Sequence, residues 1–220
     1  MTQRPFQQVD VFTTTPYLGN PLAVVMDGTG LSDAQMQSFA RWTHLPETTF
    51  LLPPSPEAAA AGAHYRVRIF TTAYEMPFAG HPTLGSCHAW LQSGGLEQVD
   101  TDAQGQDTII QECKVGLVKI HRTARLGGHR LAFAAPALQR SEPSAQTRDV
   151  LAKALGLDAQ HILAAQHLHN GPWHFGFLVN SLQTVLGLSP DFAQLALALQ
   201  EAGVSGVGLA FVAPREEADT

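Results

Sequence analysis

The sequence predicts a mixed α+β protein with one buried helix in its first half. Three observations lead there. Short runs of β-branched and aromatic residues alternate with helix-length amphipathic segments along the 220 residues. From Pro77 through Leu96 the chain carries no Asp, Glu, Lys or Arg, whereas a surface helix alternates polar and apolar faces. After a polar, Pro-containing stretch, the second half repeats the flavour of the first.

The elements follow in order. "FQQVDVFTT" (6–14) and "NPLAVVMD" (20–27) are strands joined by "TPYLGN", which carries Pro, Gly and Asn turn signals. A helix follows in "LSDAQMQSFARWTHLP". Ser32 with Gln35 makes a capping box, Met36, Phe39 and Ala40 share a face, and the residue before Pro46 ends it. "ETTFLLPP" (47–54) and "AHYRVRIFTT" (63–72) are strands, with "SPEAAAAG" as a surface loop between them. Beyond the uncharged helix, "GGLEQVDTDAQGQ" reads as loop, and "DTIIQEC", "VGLVKIHR" and "HRLAFAAP" as a meander of strands. Residues 136–146 read as a linker between a first lobe, 1–135, and a partial second lobe, 147–220. The second half then gives helix "TRDVLAKALGL", strand "HILAAQ", turn "HNGP" and strand "WHFGFLVN". Helix "SPDFAQLALALQEAG" and strand "GVGLAFVAP" close it.

Composition removes several classes of function. With 45% hydrophobic and 15% charged residues the chain is globular, and a net charge of −6 with no basic stripe argues against nucleic acid. No apolar run has the length of a signal peptide or membrane span, so the cytoplasm is expected and a membrane is not. Cys87 and Cys113 sit among apolar or small residues, as buried reduced thiols do. His161, His167, His169 and His174 have no Cys or acid among them, so no metal is expected. "RLGGHR" lacks the lysine of a phosphate loop, and "GSCHA" lies mid-helix.

Two segments carry candidate chemistry. In "FAGHPTLGSCHAWL", Pro82 suits the first helical position, which makes His81 the N-cap and gives a helix over 82–91. The amides of Thr83 and Leu84 then lack intrahelical acceptors and offer a place for a carboxylate. Leu84, Cys87, His88 and Leu91 form one row, and Gly85, Ser86 and Ala89 keep the other faces slim. Such a helix fits inside a tube of sheet, its start at the mouth. In "HLPETTF", Glu47 opens an apolar strand, where a carboxylate is partly shielded from water and suited to moving protons. A plain N-cap histidine and an exposed strand-start glutamate remain the alternatives.

The ordered set "GNP", "PETTF" and "FAGHPTLG", with "NGPWHFGFLV" later, resembles the phenazine-biosynthesis PhzF family over essentially the whole chain. That resemblance implies two similar lobes of the diaminopimelate-epimerase-like kind. Each is a curved, mostly antiparallel sheet wrapped around a central helix, with the site in the cleft between them. It implies a homodimeric, cofactor-independent isomerase that moves a proton on a small cyclic or amino carboxylic acid. Glu47 falls on the family's acid/base. Gly80 and His81 fall on its Gly-His, which helps hold and protonate substrate, with Thr83 beside them. Asn20 of Gly-Asn-Pro either orders the cleft wall or is a turn residue.

Two departures matter. Ala79 stands where the epimerase branch has a cysteine, and Cys87 lies about two turns into the helix, so a two-thiol racemase is disfavoured. The family's second lobe also carries an Asp-Pro-(Ala/Val)-Thr-Gly-Ser stretch that opens its central helix and supplies a second carboxylate. These 220 residues contain none. The second lobe is therefore expected to be incomplete, and the chain a fragment or truncated variant of weak or no activity. The alternative function is a non-catalytic, ligand- or partner-binding member of the same fold.

Overall fold

The computed structural model describes residues 3–99, 101, 106–125, 128–135, 137–169 and 173–213. The chain divides into two units, Met1–Ala134 and Ala135–Thr220.

The first unit is built on one sheet. Its strands are β1 (Phe6–Val11), β2 (Asn20–Val25), β3 (Glu47–Leu52), β4 (Tyr65–Phe70), β5 (Glu75–Met76), β6 (Asp107–Cys113), β7 (Gly116–Arg125) and β8 (Gly128–Phe133). Their order is β1-β2-β3-β4-β6-β7-β8, with β5 attached to β4. Pairings are antiparallel except β2 with β3 and β4 with β6. The helices are α1 (Asp33–Thr43), α2 (Pro56–Ala60) and α3 (Gly80–Gln92).

Strand alternation sorts side chains to two faces. Leu22, Val24, Leu51, Val67 and Ile69 point inward and pack on α3. Val25, Phe50 and Phe70 point outward and cover Met36 and Ala40 of α1. Because α3 touches β1 and β8, the two ends of the sheet, the sheet curls around it. The fit is tight. A Cβ on Gly85 would lie 2.5 Å from Leu22 Cδ2 and 2.8 Å from Val11 Cγ2. This explains the uncharged stretch: a helix enclosed by apolar strands has no water for a charge to face.

Local signals set most boundaries. Ser32 and Gln35 form both hydrogen bonds of the expected capping box, at 2.9 and 3.3 Å. The helix ends on His44 in the left-handed conformation. Some expectations need correction. "SPEAAAAG" is not all loop: Ser55 caps α2 and Pro56 opens it. The loop after α3 contains a 3₁₀ turn, Gly95–Gln98.

The helix expected over 82–91 starts two residues earlier, at Gly80, with Ala79 rather than His81 as N-cap. Pro82 is the third helical residue, where a missing N–H costs nothing because first-turn donors have no partner inside the helix.

The second unit contains β9 (Gln139–Ser141), α4 (Ala145–Leu155), β10 (Ile162–His169), β11 (Trp173–Val179), α5 (Leu182–Leu186), α6 (Phe192–Ala202) and β12 (Gly206–Ala210). The described part of the expected linker, 136–146, carries β9 and the start of α4, so it belongs to this unit. The short α5 was not expected from the sequence; Ser181 caps it. Most of the expected "HNGP" turn lies outside the described residues.

The sheet order is β12-β11-β10-β9. An antiparallel hairpin, β10–β11, leads through α6 to the parallel strand β12. β1–β2, α1 and β3 make the same connection. Phe175, Phe177 and Val179 face α4 and α6, against Leu151, Leu155 and Leu195. The opposite face, bearing Gln166, Leu168, His174, Gly176, Leu178 and Gly208, has no helix on it among the described residues.

Candidate active site

The helix that fills the first sheet brings the two expected segments together. Glu47 is the first residue of β3, placed in parallel register beside Leu22 of β2. The hydroxyls of Thr43 and Thr48 meet at 3.0 Å and fasten the end of α1 to this strand start. Along the same strand, Ser86 Oγ donates to Thr49 Oγ1 at 2.8 Å, and Thr49 Oγ1 donates to the Ala23 carbonyl at 3.4 Å. These bonds fix α3 against β3.

His81, in the first turn of α3, thereby meets Glu47. Its Nδ1 lies 2.9 Å from Glu47 Oε2, with the side chains only 8% and 18% exposed. The sequence reading placed His81 at an exposed mouth; it is instead buried, because the helix begins before it. The contact is a close approach and not an aligned hydrogen bond. Glu47 Oε2 and His81 Nε2 are both buried without a hydrogen-bond partner among the described residues. Unpartnered buried polar atoms are costly, so this pair calls for a functional account.

The helix start is set by Thr83. Its amide bonds the Ala79 carbonyl at 3.2 Å, and its hydroxyl donates to the same oxygen at 2.8 Å. The first-turn amides left without an intrahelical acceptor are consequently those of Gly80 and His81, not Thr83 as the sequence suggested. Behind Thr83 runs a buried chain. Gln111 Nε2 donates to the Thr83 hydroxyl at 3.4 Å, and Tyr65 donates to Gln111 Oε1 at 3.0 Å. Gly80 is close to the far wall: a Cβ there would stand 3.1 Å from Phe133 Cζ. Asn20 opens β2 opposite Val11, half-buried, two residues before Leu22.

Sequence reasoning missed Phe12, whose ring centroid lies 6.3 Å from that of His81. The sequence placed it in the strand 6–14, whereas β1 ends at Val11 and Phe12 turns out of it with φ 67°. It missed Ser86, Gln111 and Tyr65 because their partners are far away in the chain.

Other groups offer less chemistry. Burial pushes the Cys87 thiol up to about 12, which makes it inert as a nucleophile. Cys113 is also buried and raised by burial. His167 packs edge-on to Phe175, and His169 lies over Trp173. No group of three potential metal ligands occurs among the described residues. A cavity of about 600 Å³ on the outer face of the first sheet is lined by Phe6, Leu31, Phe39, Trp42 and Phe50. It is apolar except at its rim, where the Arg4 guanidinium is taken by the Asp27 and Thr29 carbonyls. No described helix is long and apolar enough to cross a membrane.

Comparison with known proteins gives this geometry a family. Residues 9–218 match the phenazine biosynthesis-like (PhzC-PhzF) protein family. The chain belongs to that family. It is 34% identical over 204 residues to antisense-enhancing sequence 1 of Schizosaccharomyces pombe, covering 89% of this chain and 64% of that protein. It is 33% identical over 191 residues to the trans-2,3-dihydro-3-hydroxyanthranilate isomerase of Pseudomonas chlororaphis, covering 86% and 62%. The PhzF-family protein of Bacillus anthracis superposes with a TM-score of 0.78 at 24% identity, over 98% of this chain and 69% of that one. A predicted epimerase from Pseudomonas aeruginosa gives 0.77 at 26% identity, over 94% and 70%. The chain thus spans under two thirds of the length of these two curated relatives, and its α+β fold with a curled sheet is the family's.

Proposed function

We propose that this PhzF-family chain supplies the acid/base half of an isomerase that moves a proton on a small cyclic or amino carboxylic acid. The observation that carries the reading is the shielded approach of Glu47 Oε2 to His81 Nδ1 at 2.9 Å, at the free-donor end of a 13-residue buried helix. The substrate carboxylate would accept from the Gly80 and His81 amides, where the helix dipole favours negative charge. Glu47 would take a proton from one substrate carbon and return it to another, leaving no net change in composition. His81, beside it, would hold the carboxylate and orient the substrate through its unpartnered Nε2. The isomerase named among the relatives supports a ring-bearing amino acid as substrate.

The test is deuterium uptake from heavy water into trans-2,3-dihydro-3-hydroxyanthranilate and related cyclic amino acids. Glu47→Gln is expected to cut catalysed uptake by about 10²–10⁴-fold with the fold unchanged. Uptake within a few-fold of wild type would remove Glu47 from the mechanism. The second reading is a non-catalytic, ligand- or partner-binding member of the same fold. Ligand binding without any uptake by the wild type selects it.

A further inference from the structure

The loop between β1 and β2 is held in a fixed and uncommon shape. Phe12 and Tyr17 both have left-handed backbones, φ 67° and 71°, which bulky side chains rarely adopt without reason. Asp10 fastens one side, its Oδ2 accepting from the Tyr17 amide at 2.7 Å. Thr13 fastens the other: its hydroxyl donates to the Thr15 carbonyl at 2.7 Å and accepts from the Thr15 amide at 2.9 Å. Gly19 closes the loop where no side chain fits, since a Cβ would lie 2.3 Å from the Val11 carbonyl oxygen.

What this arrangement presents is Phe12. Its ring stands 6.3 Å from the His81 imidazole, the planes tilted by 46°. Yet the residue is 69% exposed, so core packing does not account for its placement. An aromatic face kept beside a buried acid/base pair and open to solvent suits a flat or half-flat ring.

We propose that Phe12 is a specificity-determining residue: its ring is the wall on which the ring of a cyclic carboxylic acid packs. Asp10 and Gly19 are positioning residues that hold that wall. The inference rests on the carboxylate-binding site proposed above, and not on whether proton transfer occurs there.

Two probes separate these ideas. Cyclohex-1-ene-1-carboxylate and propionate share a carboxylate and differ in the ring. Each is titrated into the full chain, with the His81 ring resonances followed by NMR. Wild type is expected to bind the cyclic acid about tenfold more tightly than propionate. Phe12→Ala is expected to reduce that ratio to about threefold or less while leaving propionate binding unchanged, and Phe12→Tyr to restore it. Asp10→Ala, which frees the Tyr17 amide, is expected to lower the ratio in part. A ratio undiminished in Phe12→Ala, or no ring preference in the wild type, overturns the proposal. Glu47→Gln is expected to keep the ring preference, so a failure of the proton-transfer reading leaves this measurement interpretable.

Discussion

Ser86 of α3 donates a 2.8 Å hydrogen bond to Thr49 of β3, both side chains fully enclosed. The bond joins a residue about one and a half turns beyond His81 to one two positions along the strand from Glu47, so it sets the register in which those two meet. A double-mutant cycle with Ser86→Ala and Thr49→Val is expected to give a coupling energy of about 0.5–1.5 kcal/mol, read by chemical denaturation. Fully additive effects would mean that the bond does not tie helix to strand.

Gly85 tests how closely the sheet grips the helix. Alanine favours a helix interior over glycine by about 1 kcal/mol. At this position its Cβ would press on Leu22 and Val11 from 2.5 and 2.8 Å. Overpacking costs about 1–3 kcal/mol, so Gly85→Ala is expected to lower the melting temperature. Gly208→Ala, with open space around its Cβ, is expected to leave it nearly unchanged.

Acid should weaken the first unit through two carboxylates. The Thr101 hydroxyl and the Arg122 guanidinium hold the Asp107 carboxyl below its usual range, against the effect of burial. Burial raises Glu75, but the hydrogen bonds from Arg68 and Lys114, 2.7–2.8 Å long, outweigh it and leave it lowered. A carboxyl lowered in the folded state contributes stability that is present above its unfolded pKa and is lost as pH falls through the folded one. Denaturation midpoints are therefore expected to be flat above about pH 5 and to fall below about pH 4. Asp107→Asn is expected to flatten that decline, and an unchanged decline in this variant would count against Asp107.

The face of the second sheet opposite α4 and α6 predicts association. Leu168 and Leu178 stand there half-buried, without a helix over them among the described residues, and apolar surface left partly open seeks a cover. The 220-residue chain is expected to sediment above monomer mass or to enhance the fluorescence of anilinonaphthalene sulfonate. Leu178→Ser is expected to reduce whichever signal appears. A dye-negative monomer that melts in one cooperative step argues against it.

Much of this was legible in the sequence wherever the determinant was local. The Ser32–Gln35 capping box, the strand alternation and the charge-free stretch each reappear in the structure, because each depends on residues within a few positions. Glu47 and His81 were legible as chemistry but not as a pair, since their contact depends on how the sheet closes. The start of α3 was misplaced because Pro82 was weighed by its effect on His81 alone. A first turn has no intrahelical donors to lose, and that consideration prevailed. The left-handed backbone of Phe12 and the Tyr65–Gln111–Thr83 chain were not legible at all. The chain is made by side chains that meet only after folding, and the loop by a positive φ at a bulky residue, which side-chain type does not signal.

The position of α3 between β5 and β6 has a kinetic consequence. The parallel pairing of β4 with β6 spans the whole helix, so the sheet cannot shut until the helix lies inside it. Pairings this far apart in sequence form slowly. The stretch from β1 to β3, by contrast, is assembled from near neighbours and can condense first. The contacts of α3 with β3 then belong to the late side of the folding barrier. Ser86→Ala should accordingly speed unfolding in a stopped-flow chevron and leave the refolding arm nearly unmoved. The Glu47–His81 contact would then be among the last features of this unit to assemble and the first to come apart.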